Sequence, residues 1–155
     1  MSESKQSFPK IVPHLCILNC AAAIDWYAKA LGAKEVARHG MPDGKIMHAS
    51  VMINDSLVYM NDEMPAMEAF SPLHFKGSPV TINLYVDNAD VWWERAVSAG
   101  VTVDMPLADQ FWGDRYGMFT DPFGHQWSIA QHIKDMTPDE MMAASAVAMA
   151  QMGQH

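Results

Sequence analysis

Seven histidines, two cysteines and 18 carboxylates give this chain of 155 residues the material for a metal centre, but they are scattered. His14, in PHLCIL, and His48, in IMHASV, stand inside short apolar, branched runs that read as strands. A neutral imidazole on a strand suits a divalent transition metal, and it equally suits a core or rim position satisfied by hydrogen bonds. His125 adjoins a turn, where alternation does not say which face it takes. His39, His74, His132 and His155 stand in no pattern. Cys16 and Cys20 are too close for a structural disulfide and lack the second pair of a zinc knuckle, so they read as reduced packing thiols.

The densest chemistry lies in DQFWGDRYGMFTDPFGHQW, from Asp109 to Trp127. Phe111, Trp112 and Tyr116 are large apolar bodies, two of them with polar tips, which suits a pocket wall. Alternation puts Tyr116 on one strand face with Met118 and turns Arg115 the other way, towards Asp114 or Asp109 or across a module interface. Asp121-Pro122-Phe123-Gly124 is a turn: Pro122 presets φ, Gly124 accepts positive φ, and Asp121 bonds its own downstream backbone. Trp26, Trp92 and Trp93 fall on expected helices and read as packing, as does Trp127 on the last strand. The chain has no GxSxG elbow, phosphate-cradling loop or dinucleotide fingerprint.

The elements that must hold these residues form a repeat. IVPHLCIL is followed by Asn19, a helix start, and by AAAIDWYAKALG, with Ile24, Tyr27, Ala28 and Leu31 on one face and Gly32 as C-terminal cap. VTINLYV, Asp87-Asn88 and ADVWWERAVSAG repeat that grammar up to Gly100. Each half reads strand, helix, strand, strand, strand: about 11–18, 21–31, 34–39, 46–53 and 56–61, then about 79–86, 89–99, 101–105, 115–120 and 125–131. The turn at Asn54-Asp55 corresponds to the DPFG turn, and Gly44 is the positive-φ position of Met41-Pro42-Asp43-Gly44. The expected division is one two-module domain over 1–135 (modules about 9–62 and 79–132, linker 63–78) and a helical tail over 136–155. The linker is expected partly over the cavity mouth. In the tail, Thr137-Pro138-Asp139-Glu140 opens a helix whose Met141, Ala144, Ala148 and Met152 form a stripe for packing on the barrel or a partner chain, or for a lid.

Half of the residues are hydrophobic and the formal charge is −8, which favours a globular fold and disfavours a phosphate-tracking nucleic-acid surface. No apolar run is long enough to span a membrane, and MSESKQSFPK lacks a signal-peptide core, so a cytoplasmic protein is expected.

Strand, DPxG turn, strand near the end of such a domain resembles the vicinal-oxygen-chelate superfamily of glyoxalases, fosfomycin- and bleomycin-resistance proteins and extradiol dioxygenases. FWGDRYG just before DPFGHQW resembles its PhnB-like branch, over about residues 9–132. The resemblance implies an α+β fold of two tandem βαβββ modules forming a half-open, cupped mixed β-sheet barrel, here with a C-terminal helix, and a homodimer. It also implies a metal held by His or Glu on the first and last strands. Carried over position by position, those ligands fall on His14, Thr81 and Ser128. A Thr and a Ser hydroxyl stay protonated and bind a transition metal weakly, so the usual triad is broken. His48 resembles a position kept in the PhnB-like branch and pairs with His14 as a substitute site, completed by Asn61, Glu63 or water.

Three functions compete at this point. The first is a bleomycin-resistance-like protein that binds or sequesters a small molecule without the metal triad, in a cavity lined by Thr81, Trp112, Tyr116, Met118 and Ser128. The second is a metal-dependent lyase or transferase of the glyoxalase or fosfomycin-resistance type. It would hold one divalent ion (Zn, Ni, Mn or Fe) on His14 and His48, with Tyr116 as catalytic hydrogen-bond donor. The third is an interaction protein whose cavity is vestigial.

Overall fold

The computed structural model describes residues 7–153, which form two compact units divided between Phe75 and Lys76. His155 and the first six residues of MSESKQSFPK lie outside the described residues.

The first unit carries β1 (His14–Ile17), α1 (Cys20–Leu31), β2 (Lys34–Gly40), β3 (Ile46–Ile53) and β4 (Ser56–Asp62). Its sheet has the order β1-β4-β3-β2, with β1 parallel to β4 and the other pairs antiparallel. Asn19 caps α1 with its side chain on the Ala22 amide, and Gly32 ends it at φ 64°. The buried face of α1 is Cys20, Ala23, Ile24, Tyr27, Ala30 and Leu31. Ala28, expected on that face, is exposed, because the face turns through Ala23 and Ala30 instead. Leu15, Ile17, Ala49, Val51, Val58 and Met60 are buried, leaving the alternate residues His14, His48 and Tyr59 for the other face of the sheet. Asn54 and Asp55 both take positive φ, the two-residue hairpin turn that fixes the β3–β4 register.

The expected linker is partly ordered. Pro65–Met67 is one 3-10 turn and α2 (Pro72–Phe75) is a single helical turn, both within the first unit.

The second unit repeats the plan with β5 (Thr81–Tyr85), α3 (Ala89–Ser98), β6 (Thr102–Asp109), β7 (Asp114–Thr120) and β8 (Gln126–His132), in the order β5-β8-β7-β6. Asn88 caps α3. β6 runs four residues beyond the expected end, through Pro106. An edge strand with a register shift between Met105 and Ala108 can absorb a proline there. Phe119, Trp127 and Ile129 are buried on the α3 side, where Trp93 lies edge-on to Phe119 and tight against Gly117.

α4 (Pro138–Met152) starts as its sequence specifies, with Thr137 Oγ1 accepting the Glu140 amide at 3.1 Å. None of its side chains is buried, and Met152 is 75% exposed. Of the expected stripe, Met141, Ala144 and Ala148 are half-buried, and Met152 is open to solvent. Met142, Val147 and Met149 are apolar and exposed on the remaining faces, so the helix has no polar contrast to define a docking side.

Candidate ligand cavity and histidine pair

In the second unit the face of the sheet turned away from α3 opens into a cavity of about 570 Å³. That lies within the range of about 300–1,000 Å³ usual for small-molecule sites. β5 contributes Thr81, Asn83 and Tyr85, and β7 contributes Asp114, Tyr116 and Met118. Met105, Trp112 and Ser128 complete the wall. Thr81, Trp112, Tyr116, Met118 and Ser128, singled out from the sequence, thus surround one space. Trp112 and Tyr116 meet edge to face at 5.3 Å, and Phe111 stands edge-on to Trp112 at 5.1 Å.

Asp114, expected only as a partner for Arg115, fixes this wall. Asp114 is buried, and its Oδ2 accepts from Tyr85 Oη at 3.1 Å and from Trp112 Nε1 at 3.2 Å. Its Oδ1 is 3.0 Å from His132 Nδ1, while His132 Nε2 is 2.6 Å from Asp135 Oδ1. Neutral imidazole has a single N–H, so only the imidazolium donates to both carboxylates. The hydrogen bond to Asp135, then the one to Asp114, raises the His132 pKa above the usual histidine value. Tyr85 is likewise pushed up by its bond to Asp114. Arg115 turns away from Tyr116 as expected and bonds Asp109 at 3.0 Å, one of its two expected partners; Asp90 pairs with it bidentately in place of Asp114, because adjacent strand residues point to opposite faces.

At Gly113 (φ 96°) the backbone of Lys134 comes so close that a Cβ would strike its carbonyl. The Gly113 carbonyl accepts from the Ile133 and Lys134 amides at 2.9 and 3.0 Å. Asp121 organises the DPFG turn: Oδ1 accepts from the Phe123 and His125 amides, and Oδ2 from the buried Trp127 indole at 2.9 Å. The backbone of His125 therefore helps close the turn.

In the first unit, His14 and His48 stand edge to face with ring centroids 5.8 Å apart, and each ring also meets Tyr59. His39 stacks on His48 at 6.4 Å. Burial, then the charges of His14 and His39, lowers the His48 pKa, favouring its neutral form. Glu63 does not complete this pair. Asn61 Nδ2 donates to the Asp62 carbonyl at 2.8 Å, and Glu63 accepts from Ser71 Oγ at 3.0 Å. Among the described residues, no group of three or more His, Cys, Asp or Glu side chains is placed to hold a metal ion. Cys16 and Cys20 are not joined in a disulfide, and burial followed by the Asp62 charge pushes Cys20 up to about 12.

Thr81 and Ser128, the two other positions the resemblance points to, carry hydroxyls. Ser128 Oγ donates to Asn83 Oδ1 at 2.6 Å, and Thr81 Oγ1 lies 3.5 Å from Gln126 Oε1. Both are protonated hydroxyls engaged with neutral amides, which do not fit a divalent transition metal.

The sequence profile of the Glyoxalase/Bleomycin resistance protein/Dioxygenase superfamily matches residues 12–129. An uncharacterized protein of Mycobacterium bovis is 45% identical over 139 residues, covering 88% of this chain and 91% of that protein. The crystal structure of protein PA1353 from Pseudomonas aeruginosa is similar with a TM-score of 0.65 and 30% identity, over 82% of this chain and 100% of that one. TnmS3, an antibiotic binding protein from Streptomyces, shares the fold with a TM-score of 0.59 and 22% identity, over 84% and 99% of the two chains. With two βαβββ units, the DPFG hairpin and a profile match across both modules, this chain belongs to the glyoxalase/bleomycin resistance protein/dioxygenase superfamily.

Proposed function

We propose that this protein binds or sequesters a small planar organic ligand in the cavity of its second module, without the metal triad of its superfamily. One observation carries the reading. Thr81 and Ser128, at two ligand positions, share a cavity wall with Trp112, Tyr116 and Met118. Hydroxyls in place of metal ligands, set beside aromatic faces and a thioether, favour stacking and hydrogen bonding over metal chemistry. The antibiotic-binding description of TnmS3 supports the same direction, and FWGDRYG before DPFGHQW supports placement in the PhnB-like branch. Two cysteines outside any disulfide fit a reducing cytoplasm, and the exposed methionines of α4 fit a homodimer.

The test is equilibrium titration of chelator-treated protein with planar aromatics and cationic antibiotics, read by tryptophan fluorescence. Saturable binding at one site per chain is expected. Absence of saturable binding across that panel contradicts the proposal.

A second reading is a metal-dependent lyase or transferase using His14 and His48, with Tyr116 as hydrogen-bond donor. It is favoured by the 5.8 Å approach of the two rings. It requires that replacing both histidines with alanine abolish uptake of Zn, Ni, Mn or Fe; unchanged uptake in the double variant removes it.

A further inference from the structure

We infer that Asp114 makes the second-module cavity selective for organic cations, and that His132 is the resident counter-ion with which such a ligand competes. The inference rests on the ligand-binding reading above and assigns the charge of the ligand.

Among the nine residues that line the cavity, Asp114 is the one carrying a formal charge. A buried carboxylate is costly unless hydrogen-bonded and paired. Tyr85, Trp112 and His132 supply three contacts. A carboxylate offers about four lone-pair sites, so Asp114 retains capacity for one further donor. The rings of Trp112, Tyr116 and Tyr85 and the thioethers of Met105 and Met118 line the same cavity. Aromatic faces attract a delocalised or quaternary cation, and methionine adapts to its outline. An anion would meet Asp114 at close range within a chain of net charge −8.

His132 sets how strongly that carboxylate is felt. Its two nitrogens bridge Asp114 on β7 and Asp135 in the segment after β8, so the imidazolium already compensates part of the charge. The other groups bearing on this cluster are Tyr85 of β5, through Asp114, and Lys134, the neighbour of Asp135 in the chain. Arg115 is committed to Asp90 and Asp109 and does not enter the cluster. Loss of the His132 proton leaves Asp114 less compensated, so affinity for a permanent cation rises with pH.

The test uses two rings of nearly the same shape, the permanent cation 10-methylacridinium and neutral acridine, titrated at about pH 7, where His132 is still partly protonated, and again at about pH 8. The wild type is expected to prefer the cation. Asp114→Asn should weaken 10-methylacridinium about tenfold while leaving acridine within about threefold. His132→Gln should act in the opposite direction, tightening the cation and flattening its pH dependence. These opposite signs separate charge selection from a general loss of structure, and His132→Gln with the wild-type preference decides the matter if Asp114→Asn does not fold. Equal binding of both rings, with their ratio unmoved by either variant, overturns the inference while leaving the ligand-binding reading intact. If neither ring binds, both readings are overturned.

Discussion

Two buried aspartates show how single residues fix each module. Asp62 accepts the Cys20 amide at 2.8 Å and the Ile46 amide at 2.7 Å, tying the start of α1 to the start of β3. Asp121 joins the DPFG turn to Trp127 in the core. The Asp114–His132–Asp135 chain differs because a histidine links its two carboxylates. The folded-state pKa of His132 is raised, so the stability it lends is present below the unfolded value and is lost as pH rises through the folded one. NMR titration of the His132 ring should give a midpoint above about 6.5, and Asp135→Asn should lower it. A midpoint unmoved by Asp135→Asn contradicts the bridge. Asp121 was legible in the sequence because its partners lie within six residues of it. His132 was not, since its significance depends on strand register. Thr120 pairs with Gln126, and counting outward along both strands lands on Asp114 opposite His132. That register was the available signal.

At the scale of elements, α3 and β7 approach so closely that only glycine fits between them. A Cβ on Gly117 would lie 2.7 Å from the Trp93 ring and 2.9 Å from the Leu107 Cα. Gly117→Ala should therefore cost about 1–3 kcal/mol in denaturant unfolding, the usual range for overpacking. An unchanged midpoint would mean that the contact is loose. Strands and helices were legible wherever turn residues punctuate the apolar pattern. Ile46–Ile53 ends at Asn54-Asp55, whose positive φ values forbid continuation. The end of β6 was misjudged because Pro106 normally stops a strand, and only its edge position excuses it. The α4 helix was legible from its cap, and its stripe in part: Met141, Ala144 and Ala148 are half-buried, while Met152, near the helix end, is exposed.

For the whole molecule, repetition of βαβββ doubles one structural solution while leaving different chemistry on the two sheets. The first carries His14, His48 and Tyr59, and the second an aromatic cavity with a buried carboxylate. Removal of residues 137–155 should shift Tm by no more than about 2 °C, because no described side chain of α4 is buried. A larger drop accompanied by a smaller particle on a sizing column would show instead that α4 is covered by a second copy. The most direct measurement for the central claim is titration of acridine into protein treated with EDTA and into the same protein reloaded with zinc. A cavity independent of metal predicts one saturable site per chain in both samples and affinity weakened about tenfold in Trp112→Ala. Binding that appears only after zinc is restored, and disappears when His14 and His48 are both alanine, would contradict it.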